Sequence, residues 1–221
     1  MNALILVGSP KGRSSSSFLL GSKLAEGLRK HGAAVREELV HAGLRTAEGT
    51  LRLLGAVDAA DLLAFSFPLY VDSLPSPLTR LLELVAGRRA GAAKTGSPRL
   101  AVIVQCGFPE SHQCDTAVGI CRLFAERTGM HWSGALAMGM GGSLERGFGK
   151  LPGRGANILR ALDMASESLA KGGDIPGDAT TLFATPLMPR WIYTLFGNVG
   201  WRVQMRKNRA SRPLTHRPHA Q

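Results

Sequence analysis

Five serines, Ser9 and Ser14 to Ser17, crowd the stretch GSPKGRSSSSF (8–18), which also carries Lys11 and Arg13. Hydroxyl and amide donors at that density, with cationic side chains among them, suit an anion, and a phosphate is the simplest. The stretch lies between an apolar run, ALILVG (3–8), and residues 15–31, where Phe18, Leu20, Leu24, Leu28 and His31 recur near helical spacing before Gly32. The serines therefore stand where a strand gives way to a helix. A helix N-terminus has free N–H groups and the positive end of the helix dipole, both of which favour negative charge. Capping alone is the competing reading, and it would use only one or two of the hydroxyls.

The kind of phosphate follows by exclusion. A nucleoside-triphosphate loop needs GxxxxGK[ST], but Lys11 precedes Gly12 and no Lys precedes a Ser or Thr at the helix start. The dinucleotide fingerprint GxGxxG is absent, and the next strand-like segment ends at Val40-His41 without an acidic residue to hold a ribose. A hydroxyl-rich loop for a terminal monophosphate remains, the grip on FMN used in sheets of flavodoxin type.

Two further loops add to the case. In FPLYVDSLPSPLTRLLELV (67–85), Pro68 ends a strand, the backbone of Leu69 to Ser73 can meet the polar edge of an isoalloxazine, and Tyr70 offers a flat face. A proline-rich helix entry with Tyr70 in the core is the alternative there. In QCGFPESHQCD (105–115), Gly107 makes a turn, Phe108 is aromatic and Glu110 supplies a carboxylate. Cys106 reads as a buried structural thiol, since no adjacent base marks it as a nucleophile, and His112 reads as a surface or capping residue.

These loops must be carried by regular elements. Apolar runs at 33–40, 61–70, 99–106 and 131–139 read as four more strands, and helical spacing is found at about 77–88, 115–128 and 156–171. Alternation of this kind specifies α/β architecture: a doubly wound, five-stranded parallel sheet with helices on both faces. Ligands in such sheets bind beyond the carboxyl ends of the strands, which selects the loops at 9–17, 68–76, 106–114 and 139–155. The last is rich in glycine and reads equally as a lid or a surface link.

Composition sets the remaining bounds. With 221 residues, 44% of them hydrophobic, the chain can bury one substantial core. Cys106, Cys114 and Cys121 form no CxxC pair, so neither a disulfide framework nor a metal site is indicated, and a reduced, cytoplasmic compartment is expected. No signal peptide and no run of membrane-spanning length is read in the chain. The net charge of +11 is uneven: no Asp or Glu follows Asp178, while Arg190, Arg202, Arg206, Lys207, Arg209, Arg212 and Arg217 do, leaving +4 for residues 1–178.

The expected division is thus a domain at 1–178 and a basic, aromatic-rich helical extension at 179–221. In that extension Trp191, Ile192, Leu195, Phe196, Val199, Trp201 and Val203 describe an apolar helix. It is expected to dock on its own domain or a partner subunit, with a peripheral membrane contact as the other reading. Nucleic acid is not an expected partner, for want of a recognition motif or of aromatics among the basic residues.

The motifs GSPKGRSSSSFLL, FPLYVDSLP and VIVQCGFPE, in this order and spacing, resemble the flavodoxin-like NADPH-dependent FMN reductase and NAD(P)H:quinone oxidoreductase superfamily. The resemblance spans about residues 1–175 and implies strand order 2-1-3-4-5. It puts Ser9, Lys11, Ser15, Ser16 and Ser17 on the phosphate loop, Pro68, Leu69, Tyr70 and Val71 on the isoalloxazine loop, and Gly107 and Phe108 on the third flavin-facing loop. It implies FMN as cofactor, NADPH or NADH as reductant, and ping-pong transfer to a flavin, quinone or similar small acceptor. No protein group is singled out as catalytic, because the flavin carries the chemistry. Assembly into a homo-oligomer, at simplest a dimer, is also expected. A flavin-binding electron-transfer or regulatory protein would carry the same three loops, and the compact cysteine cluster of iron–sulfur flavoproteins is missing.

Overall fold

The computed structural model describes residues 1–90, 97–146, 148 and 155–208. Five continuous or alternating apolar runs become five strands: β1 (Asn2–Val7), β2 (Ala34–Leu39), β3 (Leu62–Pro68), β4 (Arg99–Gln105) and β5 (His131–Met138). All neighbours pair in parallel, in the order β2-β1-β3-β4-β5. Every residue of β3 is buried, as a strand covered on both faces requires, whereas no residue of the edge strand β2 (AVREEL) is buried: Arg36 is exposed, and Glu37 and Glu38 are half-buried in ion pairs with Arg29 and Arg36. At the other edge β5 carries one extra residue relative to β4, and Gly134, with φ of +102°, supplies the left-handed backbone of that bulge.

Helices cover both faces. α1 (Ser16–Lys30) and α6 (Gly155–Ala170) pack together on one side, and α7 (Gly177–Ala184) covers β5 and α6. The opposite face meets α3 (Ala47–Asp58), α4 (Ser76–Ala90) and α5 (Asp115–Thr128), where Leu4, Phe65 and Val102 of the sheet pack with Leu53, Leu78 and Ala117. A single turn, α2 (Val40–Gly43), leads into α3. α3 has no counterpart in the sequence reading. Gly49 and Gly55 weaken its intrinsic propensity, and it forms because Thr46 caps it at Gly49 N and because Leu53, Leu54 and Val57 are buried.

By contacts the chain divides into Met1–Leu187 and Met188–Gln221. Residues 179–187, which the sequence reading put in the extension, therefore belong to the first unit, and the cause is apolar: Ala179 and Phe183 of α7 are fully buried. The second unit contains one helix among the described residues, α8 (Arg190–Lys207), none of whose residues is buried.

The seam between α1 and α6 tolerates no side chain at Gly27. A Cβ there would lie 2.2 Å from Oγ and 2.7 Å from Cβ of Ser166. Rotation can move the hydroxyl, but the Ser166 Cβ is fixed to the α6 backbone, so the helices must separate. Gly27→Ala is expected to destabilise by about 1–3 kcal/mol despite the better helix propensity of alanine. Adding Ser166→Gly should recover part of that loss, and a denaturation double-mutant cycle over the two sites measures the coupling.

Candidate functional site

The carboxyl ends of β1, β3 and β4 open onto one cleft of about 180 Å³. Its lining comes from all three loops singled out in the sequence: Ser9, Lys11, Ser15 and Ser16; Pro68, Leu69 and Tyr70; and Gly107. Gln105, Cys106 and Gly142 complete it, none of which was in the sequence-based set. Ser17, Val71 and Phe108 do not line the cleft. Ser17 is wholly buried with no hydrogen-bond partner for its hydroxyl, while Val71 and Phe108 are 98% and 52% exposed. Arg13 also turns elsewhere, its guanidinium 5.3 Å from the centre of the Phe18 ring.

The serines divide their labour. Ser15 is the N-cap of α1: its Oγ accepts from Phe18 N at 3.0 Å and donates to Gly12 O at 2.7 Å, an arrangement that stabilises a helix by about 1 kcal/mol. Ser14 donates to Lys11 O at 2.9 Å, and Ser16 donates to Gly141 O at 2.9 Å, across 125 residues of chain. Three hydroxyl protons are thus committed to carbonyls that shape the loop. Ser9 Oγ only accepts a long contact from Lys11 N, at 3.4 Å, and keeps its proton for another partner. With Phe18 N capped, the N–H groups of Ser16 and Ser17, at the first turn of a fifteen-residue helix, have no intrahelical acceptor. Ser9 Oγ and these two amides form a donor set, and Lys11 adds a positively charged residue to the same lining. That set suits an anion.

The second loop makes a two-residue turn. Tyr70 N donates to Ser73 O at 2.9 Å and Ser73 N to Tyr70 O at 3.0 Å, while Val71 and Asp72 between them have φ of 47° and 58°. Leu69 N is also used, donating to Gln105 O at 2.8 Å. Of the backbone donors expected at Leu69 to Ser73, three are therefore bonded inside the protein, and those of Val71 and Asp72 stand at the exposed turn. Tyr70 is 42% exposed on the cleft wall, outside the core.

The third loop is laced to the segment after β5. Met140 N donates to Phe108 O at 2.7 Å, Gly141 N to Cys106 O at 2.8 Å and Cys106 N to Met138 O at 3.0 Å. Cys106, buried as expected from the sequence, nonetheless lines the cleft. Cys106 Sγ donates to Glu110 O at 3.5 Å, and the Cys114 thiol, brought near by the turn at Ser111–Cys114, holds the Cys106 pKa below its ordinary value against the opposing effects of burial and Glu110. Cys114 is pushed far up in consequence. Cys121, on α5, is pushed up to about 12 by burial alone. The spacing of Cys106 and Cys114 carried no recognised motif, so sequence gave no sign of the pairing. Among the described residues no group of His, Cys, Asp or Glu is arranged to hold a metal ion. The glycine-rich segment read as lid or link falls partly on residues 147 and 149–154, outside the described residues.

No protein-family model and no curated protein matches this chain. Solved structures do. An NAD(P)H:quinone oxidoreductase from Methanothermobacter marburgensis is 18% identical with a TM-score of 0.54, over 76% of this chain and 96% of that one. An FMN-dependent NADH-azoreductase from Bacillus anthracis, in complex with FMN, is 14% identical with a TM-score of 0.55, over 76% and 99%. A flavodoxin from the domain Archaea is 11% identical with a TM-score of 0.52, over 78% and 98%. The fold is flavodoxin-like. The strand order expected from the sequence is the one observed, with the switch in winding between β1 and β3, where the cleft opens.

Two outcomes check this geometry. A Cβ on Gly141 would lie 1.7 Å from Gln105 Oε1 and 2.9 Å from Gln105 Cβ, so Gly141→Ala should cost about 1–3 kcal/mol in denaturant unfolding by displacing the segment that ties the loops. In timed alkylation of the native protein at mildly alkaline pH, peptide mass spectrometry should show Cys106 modified first. Cys114 and Cys121 should react only on unfolding.

Proposed function

We propose that the chain is an FMN-dependent NAD(P)H oxidoreductase passing reducing equivalents to a small acceptor such as a quinone or a flavin. The observation that carries this reading is the composition of one cleft: an anion-binding helix N-terminus and a flat, largely apolar wall from Pro68, Leu69, Tyr70 and Cys106, at the switch point of a 2-1-3-4-5 sheet. The lining suits a monophosphate, because Ser9, Lys11, Ser15 and Ser16 stand in it at the first turn of α1 and no carboxylate residue is among the lining residues. Bound FMN would supply hydride acceptance from a nicotinamide and release of the electrons to the acceptor.

The protein's own groups then bind and orient. Ser9, Lys11 and the first turn of α1 would hold the phosphate, and the hydrogen bonds made by Ser14, Ser15 and Ser16 fix that loop before any ligand arrives, which lowers the ordering cost of binding. Tyr70 gives a planar wall, and Gly107, whose Cβ position faces open space, leaves room above the third loop. The acidic groups on the three flavin-facing motif loops are Asp72, Glu110 and Asp115, and Glu145 is the one acid in the loop 139–155, in a body of only mildly basic net charge. Small electron carriers of this fold surround the ring with negative charge, which disfavours its anionic two-electron reduced form. A surrounding with few carboxylates favours two-electron chemistry and so a reductase. A ping-pong order, with nicotinamide and acceptor taking turns beside Tyr70, would suit a cleft that both must share.

The test is spectroscopic and then kinetic. The purified protein, alone or after incubation with FMN and gel filtration, is expected to be yellow, and to oxidise NADH or NADPH when a quinone is added. A colourless protein after FMN incubation overturns the reading. A yellow one without turnover would be an electron carrier. Lys11→Ala should weaken FMN binding by about tenfold or more, the effect of removing one charge-assisted phosphate contact, as read by fluorescence titration.

A further inference from the structure

We infer that α8 is a membrane-surface helix that lies on bilayers rich in anionic lipid. Taken by itself, the helix is amphipathic in a specific way. Ile192, Leu195, Phe196, Val199 and Val203 recur at three- and four-residue intervals and fall on one face. Trp191 stands at the start of the helix, 68% exposed, the residue type enriched at the level of lipid head groups, and Trp201, 69% exposed, lies two-thirds of the way along on the face opposite the aliphatic one. No residue of α8 is buried.

Charge selects the occupant. α8 carries Arg190, Arg202, Arg206 and Lys207 and no acidic residue, and the sequence beyond it adds Arg209, Arg212 and Arg217, again without an acid. A self-complementary contact with a second copy would bring these uncompensated charges together. A bilayer of anionic lipid compensates all of them at once and accepts the apolar face in the same contact. Crossing the membrane is a different matter: no helix among the described residues is long and apolar enough for it, and in α8 the four basic residues with Gly197, Asn198 and Gly200 are the reason. The helix lies in the interface.

This inference rests on α8 and the basic tail, independently of the flavin reading. A colourless protein that still sediments with vesicles would end that reading and leave this one standing. The test is co-sedimentation of the full chain with phosphatidylcholine vesicles, with and without phosphatidylglycerol. Binding is expected only to the anionic vesicles, weakened by added salt, with a blue shift of tryptophan fluorescence. Arg202→Gln/Arg206→Gln/Lys207→Gln should lower the partition coefficient by about fivefold per charge, on the order of a hundredfold in all. Leu195→Asp/Phe196→Asp should abolish binding, and both variants should unfold thermally like the parent. Failure of the parent to sediment with anionic vesicles overturns the inference, as does sedimentation unchanged in the triple charge variant. So does a dimer, seen by sedimentation velocity, that Leu195→Asp/Phe196→Asp splits while the parent ignores vesicles.

Discussion

The cleft depends on one backbone crossing at Gly141. Its N–H donates to Cys106 O, its carbonyl accepts from Ser16 Oγ, and its missing side chain leaves the space filled by Gln105 Oε1. Three chain segments far apart in sequence, the start of α1, the end of β4 and the turn after β5, are held at hydrogen-bond distance by that residue. Each bond contributes only about 1 kcal/mol net. Their value lies in position, because Cys106 and Gln105 on one side and Ser16 on the other line the same cleft. A shift of the segment after β5 would move two of its walls together.

That arrangement explains a hydroxyl-rich loop better than direct ligation by every serine does. An anion site built of mobile loops would have to order them on binding, at an entropic cost charged against affinity. Here Ser14, Ser15 and Ser16 spend their protons on Lys11 O, Gly12 O and Gly141 O, so the loop is shaped by its own side chains. What remains for a ligand is a smaller set, the Ser9 hydroxyl and the first amides of α1, with Lys11 beside them in the cleft lining. Ser17 supports the site from below: its carbonyl takes the Ser66 hydroxyl at 2.7 Å and so ties α1 to β3.

Much of this was legible because the buried strands are continuous apolar runs and the helices between them keep their period. LILV, LLAFSF and LAVIV admit no other placement than the middle of a parallel sheet, and their order fixes which loops meet. α3 was not legible, since two glycines dilute its pattern and its formation rests on a threonine cap and three buried apolar side chains. Nor was the share of Gln105, Cys106 and Gly142 in the cleft, which follows from cross-chain bonds that no local pattern announces. The boundary of the first unit moved from 178 to 187 for a similar reason: loss of acidic residues after Asp178 marks a change in charge, whereas burial of Phe183 decides what packs.

The turn at Tyr70–Ser73 shows most clearly how far local rules reach. Two-residue turns with both central residues left-handed favour Asn-Gly, and Val is among the residues least suited to positive φ because its branched Cβ crowds the backbone. Val71 adopts φ of 47° all the same, with Asp72 at 58°, and the pair of bonds between Tyr70 and Ser73 closes the turn over them. The cost is of order 1–2 kcal/mol for the valine. Pro68 and Leu69 hold one flank, through β3 and through Leu69 N to Gln105 O, and the buried Leu74 and Pro75 hold the other. Strain that the surroundings over-determine in this way tends to gather where a chain meets a ligand. Here it keeps the Val71 side chain in solvent, 98% exposed, and leaves Tyr70 on the wall of the cleft. A sequence rule that reads Val-Asp as an extended dipeptide would have run the strand on and closed the site.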